Sequence, residues 1–332
     1  MPASLLQPIR LPGGRGLPDR LLPGPMDGIT EHAFLTAMSR RGWCHAWITP
    51  FLRISTGVPR LARLREWLDP YLATGLPVIA QVMGTSTERL AATAARLSQL
   101  GAQGVDLNCA CPSPTVIGNH SGGARLREPD WIARTLLAMK DACGDFPISL
   151  KIRFGFERTD EFPAICEAVR AARPDMTTIH FRTVAEGYRP VADGLERLRQ
   201  ARSLLPGLFL VGSGDLFTPA DIIRMHETTG VEAVAPARGL LSRPSLLAET
   251  AAMLRGEPSP TLTDADKLAF LLDLADPAGL PPGTRNGFVL RMTRSLFGED
   301  SALFARLRTL PSLRATRAEL AAWRAKEGVT VS

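Results

Sequence analysis

The chain lacks most of the marks of membrane, secreted and disulfide-held proteins. Across 332 residues no apolar run is long enough to cross a bilayer, so no membrane partner is expected. The opening stretch MPASLLQPIRLPGGRGLPDR has neither an apolar h-region nor a small-residue cleavage site, so no secretion signal is read there and a cytoplasmic location is expected. Cysteines number five, an odd count, and only Cys109 and Cys111 lie together, which favours reduced thiols over a disulfide framework. Lysine is scarce: of 39 basic residues only Lys140, Lys151, Lys267 and Lys326 are lysines. No Gly-x-Gly-x-x-Gly turn follows a strand, so a dedicated dinucleotide domain is not expected. His32, His45, His120 and His226 show no ligand spacing, and the Cys109-x-Cys111 pair lacks further partners to close a tetrahedral shell, so no metal site is read.

What is present is a repeated alternation. Short apolar runs at 21–26, 46–52, 78–83, 104–109, 148–153, 177–182, 208–212 and 232–237 alternate with amphipathic stretches. Leu90, Ala94 and Leu97 form one helical stripe, and Ile165, Ala168 and Val169 another. Thr218-Pro219 and Glu128-Pro129-Asp130 read as helix starts. Strict alternation of strand and helix implies parallel strands, and eight such units predict an α/β fold, a (β/α)8 TIM barrel, over 20–254. A doubly wound open sheet is the alternative. Residues 1–19 form an N-terminal extension. The stretch Arg255-Gly256-Glu257-Pro258-Ser259-Pro260 reads as a linker. Beyond it only helical windows follow, at 264–274, 284–297, 302–310 and 313–326, so 255–332 is expected to be a small all-α helical bundle.

In such a barrel the carboxyl ends of the strands meet at one mouth. Val105-Asp106-Leu107-Asn108-Cys109-Ala110-Cys111-Pro112-Ser113 is the most informative of these ends. Pro112 stops the strand, so Cys111 sits where the backbone leaves the sheet, placed to donate a proton or act as a nucleophile. Cys109 alternates with Val105 and Leu107 and reads as packing. The other ends bring Pro25-Met26-Asp27, Arg53, Gln81, Lys151 with Arg153, His180 with Arg182, Ser213-Gly214-Asp215 and Ala237-Arg238-Gly239. Lys151 stands inside a strand-type run, and an inward ammonium needs an anion or an electron-rich ring. Glycine-containing loops after strands 7 and 8, with Arg238, suit a phosphate. A cation beneath a ring and a phosphate grip to one side together suit flavin mononucleotide.

Charge is uneven. The chain carries a formal +6, with nine basic and four acidic residues from 285 to 332 against one basic and five acidic from 257 to 284. A positive final segment fits contact with a polyanion.

These residues resemble the tRNA-dihydrouridine synthases. Pro25-Met26-Asp27-Gly28-Ile29-Thr30 is similar to that family's opening motif, and Asn108-Cys109-Ala110-Cys111-Pro112 to its Asn-x-Gly-Cys-Pro signature. Lys151-x-Arg153, His180-x-Arg182-Thr183, Ser213-Gly214-Asp215 and Arg238-Gly239 follow in the family's order. Thr49-Pro50-Phe51-Leu52-Arg53 looks most like the bacterial C-type subfamily, which acts on uridine 16 of the tRNA D-loop. The resemblance implies a flavoenzyme in which NADPH or NADH reduces FMN, hydride passes to C6 of a uracil, and a cysteine, here Cys111, protonates C5. It implies FMN contacts from Pro25, Met26, Asp27, Gln81, Lys151, His180, Ser213, Gly214, Asp215, Ala237 and Arg238. It implies uridine or tRNA contacts from Arg53, Asn108, Arg153, Arg182, Tyr188 and Arg291, with 255–332 as the tRNA-recognition part. Nothing in the sequence demands more than a monomer. Ala110, Phe181, Ser213, Pro114 and Pro236-Ala237 depart from the family's usual residues. A small-molecule FMN oxidoreductase built like dihydroorotate dehydrogenase, a paralogue acting on another RNA uridine and a silent RNA-binding protein are the alternatives.

Overall fold

In the computed structural model of the chain, residues 2–276 and 286–326 are described. Strands β1 (Ile9–Arg10) and β2 (Gly16–Leu17) form a small antiparallel hairpin. The main sheet comprises β3 (Trp47–Ile48), β4 (Leu52–Ile54), β5 (Val78–Gly84), β6 (Gly104–Cys109), β7 (Ile148–Arg153), β8 (Met176–His180), β9 (Leu210–Ser213) and β10 (Ala233–Val234). Neighbours pair in parallel and in chain order from β5 to β10, while β3 and β4 both lie along β5 as two pieces of one barrel position. Leu21 bridges Val234 in parallel, and the Leu22 and Gly24 N–H groups donate to Val234 and Pro236, so the first expected strand follows the eighth. Between 21–25 and β3 no ladder pair is found among the described residues, and that seam is filled by Leu22, Ala46 and Ile48. The architecture is TIM-barrel-like, as expected, with the window at 46–52 split in two and the one at 232–237 reduced to two residues.

The two-residue period of the strands sorts their side chains. Val105, Leu107 and Cys109 of β6 face outward into the large apolar layer beneath the helices, with Ile148, Leu150 and Ile152 of β7. Asp106, Asn108, Ser149 and Lys151 consequently face the lumen. At the amino ends of the strands the lumen is apolar: Ile79, Met176, Val211 and Ala233 pack with Ile9, Leu11 and Leu17. The N-terminal hairpin therefore plugs the bottom of the barrel. At the carboxyl ends polar residues replace this core, and a cavity opens.

The C-terminal segment folds as helices Asp264–Leu274, Gly287–Phe297, Ala302–Leu307 and Leu313–Ala325. Thr263, Ser301 and Ser312 cap three of them with side-chain oxygens. Residues 284–285 of the expected second helix lie outside the described residues. Helix Leu246–Arg255 ends in left-handed Gly256, and the extended linker follows. Among the described residues the tail's apolar side chains join the barrel's outer layer. Phe270 packs edge-on against Phe34 at 5.6 Å, Arg41 pairs with Asp273 at 2.6 Å, and Leu268, Leu303 and Leu320 belong to the same apolar layer as the barrel helices.

Candidate active site

The cavity at the carboxyl ends of the strands measures about 680 Å³, within the usual range for a cofactor or small-molecule site. Every residue expected to touch the cofactor lines it: Pro25, Met26, Asp27, Gln81, Lys151, His180, Ser213, Gly214, Asp215, Ala237 and Arg238. So do Cys111, Asn108, Arg153 and Tyr188. Arg53, Arg182 and Arg291 do not. Arg53 is exposed beside Phe51, whose ring its guanidinium meets at 5.7 Å. Arg291 stands on the tail, beside a surface hollow shared with Arg294 and Phe304. Arg182 is 1% exposed and donates to the Asp215 carboxylate through both terminal nitrogens and to the Arg189 carbonyl through Nε, so it has no free donor face for RNA.

Cys111 is set by its neighbours. Its backbone N–H donates to Asn108 Oδ1 at 3.1 Å, the Ala110 N–H donates to the same oxygen at 3.0 Å, and the Cys111 carbonyl accepts from Gly123 at 3.0 Å. Gly122 holds a left-handed φ of 57° where an added Cβ would stand 3.1 Å from Cys111 Cβ and 2.6 Å from Val116, so that close approach requires glycine. Burial raises the thiol pKa, opposed by a hydrogen bond from the Ser113 backbone, so the thiol is held protonated. Ala110 fits in the turn before it: outside glycine, only His120, Arg173 and Asp215 have positive φ among the described residues.

Lys151 is partly exposed to this cavity, and among the described residues its Nζ makes no hydrogen bond or ion pair. Burial and the neighbouring Arg153 lower its pKa to about 8, against the pull of Asp106. Arg153 uses its donors on the carbonyls of Ala110, Thr183 and Gly187, tying the Cys111 turn to the loop after β8. His180 Nδ1 accepts from the Arg182 N–H at 3.2 Å, which leaves the proton on Nε2. Burial first, then Arg153, Lys151, Arg182 and Arg238, holds His180 well below the usual histidine range, hence neutral.

The far wall is a corner built from the loops after β9 and β10. Asp215, at φ 46°, accepts from Arg182 and, at 2.6 Å, from Arg238. Among the described residues, no acceptor meets the N–H groups of Gly214, Asp215, Ala237 or Arg238. An added Cβ on Gly239 would collide with the Leu216 carbonyl, so the two loops touch only because glycine is there. Phe181 points away from the lumen into the outer apolar layer, and its ring leaves no room for a Cβ on Gly214. Tyr188, 55% exposed at the rim, is approached by the guanidinium groups of Arg238 at 4.7 Å and Arg153 at 5.5 Å. Phe51 and Phe217 also line the mouth; the sequence carries Phe51 only as part of the motif at 49–53 and gives no signal for Phe217 beyond an aromatic residue in the loop after β9. A ring-bearing anion such as FMN fits this donor set, with an unpartnered ammonium, a neutral imidazole N–H and a corner of free amides.

A parallel barrel with a polar mouth of this kind defines an α/β-barrel enzyme. Its fold is shared with the old yellow enzyme from Trypanosoma cruzi, at TM-score 0.52 and 10% identity over 79% of this chain and 95% of that one. A 2-naphthoyl-CoA reductase also shares it, at TM-score 0.59 and 13% identity over 78% of this chain and 53% of that one. The dihydrouridine synthase (Dus) family model matches residues 21–276, and the chain belongs to that family. Among its relatives, the tRNA-dihydrouridine(16) synthase of Vibrio vulnificus is 34% identical over 68% of this chain and 73% of its own length. The tRNA-dihydrouridine(16) synthase of Aquipseudomonas alcaligenes is 29% identical over 86% of this chain and 93% of its own. No helix among the described residues is long and apolar enough to cross a membrane.

Proposed function

We propose that this chain, acting as a monomer, reduces the C5–C6 double bond of uridine 16 in the tRNA D-loop to dihydrouridine, with FMN as cofactor and NADPH as reductant. The observation that carries the reading is the convergence on one cavity of the Cys111 thiol, the acceptor-free Lys151, the neutral His180 N–H and the Asp215–Arg238 anion corner. The relatives' naming as tRNA-dihydrouridine(16) synthases supports the choice of tRNA and of position 16.

FMN, when bound, would supply the hydride for C6 of the uracil, with NADPH as the source of its electrons. Lys151, Gln81 and His180 hold the ring, with Pro25, Met26 and Asp27 beside it. Arg238 and the amides of 213–215 and 237–238 hold the phosphate. Cys111 completes the reduction: its S–H bond breaks, a C5–H bond forms, and the thiolate regains a proton from water. Hydride and proton together add two hydrogens across one double bond. A raised thiol pKa suits this role, since the group must arrive protonated. A D-loop uridine must leave its stack to reach the cavity floor, and the exposed Tyr188 ring at the rim offers it a stacking face. Residues 20–254 do the chemistry. The tail from 255, with Arg291, and Arg53 at the rim hold phosphates of the folded RNA.

The test is optical. NADPH should bleach the yellow holoprotein without oxygen, and unmodified tRNA should restore the oxidised flavin spectrum while free uridine does not. Restoration by a small unsaturated metabolite, with tRNA inert, would overturn the reading.

A further inference from the structure

Asp106 takes no part in the proposed chemistry, yet it is the most deeply buried carboxylate under the cavity, 1% exposed on the lumen face of β6. Its register neighbours are Gln81 on β5 and Ser149 on β7, and both donate to it: Ser149 Oγ to Oδ1 at 2.7 Å and Gln81 Nε2 to Oδ2 at 2.8 Å. One layer nearer the mouth, Gln81 Oε1 accepts from Asn108 Nδ2 at 2.8 Å. Asn108 Oδ1 then accepts the Ala110 and Cys111 N–H groups.

Each amide in this chain has one donor end and one acceptor end, and either could point either way. A carboxylate removes that freedom because it only accepts. Facing Asp106, Gln81 must turn its NH2 downward, which leaves its oxygen for Asn108. Asn108 must then turn its own NH2 toward Gln81, which leaves its oxygen for the Cys111 turn. We infer that Asp106 is a positioning residue: its acceptor-only carboxylate sets the direction of the Gln81–Asn108 hydrogen-bond chain and thereby fixes the backbone of the thiol-bearing turn. The same anion offsets the Lys151 charge in the lumen. Burial raises the Asp106 pKa to about 6, opposed by Ser149, Gln81 and Lys151, so at neutral pH the acceptor-only form dominates.

The inference rests on the role proposed for Cys111, but its test does not require turnover. The readout is the rate at which iodoacetamide alkylates Cys111 in the purified holoprotein, located by peptide mass, with kcat and KM for tRNA measured beside it. Asn108→Asp places two acceptor-only groups on opposite ends of the one Gln81 amide. One contact must break, so alkylation should rise about tenfold, the rate equivalent of one buried hydrogen bond, and kcat should fall while KM for tRNA holds. Asp106→Asn alone can keep every contact, its amide oxygen accepting from Gln81 and its NH2 donating to the Ser149 hydroxyl, while the donor-only N–H groups of the Cys111 turn still orient Asn108, so alkylation should change by about twofold. The exchange Asp106→Asn with Asn108→Asp swaps the two groups and satisfies every contact. The amide introduced at position 106 donates to Gln81 while its oxygen still accepts from Ser149. Gln81 turns over and donates to the carboxylate introduced at position 108, which still accepts the N–H groups of the Cys111 turn. Alkylation in the double variant should return to within about twofold of the parent. A harmless Asn108→Asp, or a double variant no better than that single one, would overturn the inference. Failure of tRNA reduction with the alkylation pattern intact would instead count against the proposed function alone. Thermal melts and flavin content of each variant separate a loosened turn from an unfolded barrel.

Discussion

Arg182 grips Asp215 through both terminal nitrogens, and Asp215 in turn holds Arg238 at 2.6 Å. The buried guanidinium keeps a carboxylate in a left-handed backbone that L residues seldom adopt. Without it the Asp215 loop relaxes and Arg238 loses its anchor. Arg182→Met is expected to destabilise the protein by about 3 kcal/mol, the low end for one partner of a buried pair because Asp215 is half-exposed. FMN retention on dialysis should fall with it. Urea unfolding and flavin absorbance check both. Unchanged values would make the pair incidental.

Cys111→Ala should keep flavin and tRNA binding and lose about a hundredfold or more in turnover, the usual contribution of a placed general acid. Single-turnover reoxidation of the reduced protein by tRNA is the measurement.

Lys151 carries its charge below about pH 8 and loses it above. FMN affinity should therefore decline as pH rises through about 8, and Lys151→Met should be weaker and free of that dependence. Fluorescence titration of the apoprotein reads this. The folded value lies below the ordinary lysine 10.5, so the unfolded chain binds more protons across that window. This group alone makes the FMN-free protein more stable as pH rises between the two values.

Much of this is legible from spacing. The alternation of Val105, Leu107 and Cys109 with Asp106 and Asn108 decides which side chains reach the lumen, and Lys151 announces itself by standing in an apolar strand. Other features depend on partners far apart in sequence. Arg182 reads as a free cation until Asp215, on the loop after β9, is seen against it. Asp106 is easily passed over because an acid inside an apolar run acquires a role only with its donors, Gln81 and Ser149, from two other strands. Ile9, Leu11 and Leu17 read in the sequence as a plain extension; as the barrel's plug they are explained by the hairpin turn between them.

Phe181 and Gly214 are coupled by contact. Gly214→Ala should destabilise strongly, both for its φ of 127° and for the collision of its Cβ with the Phe181 ring. Phe181→Ala should cost about 3 kcal/mol as a core truncation. In the Phe181→Ala background the Gly214→Ala penalty should shrink, because only the backbone strain remains. Denaturant unfolding of the four proteins closes the cycle, and strict additivity would show that the ring does not impose the glycine.

The most direct measurement is a map of dihydrouridine in unmodified tRNA transcript after incubation with the holoprotein and NADPH, beside a transcript with cytidine at position 16. The expected result is dihydrouridine at position 16 of the first and none in the second. Product elsewhere in the D-loop, or no product from a flavin-loaded protein that NADPH reduces, would contradict the assignment.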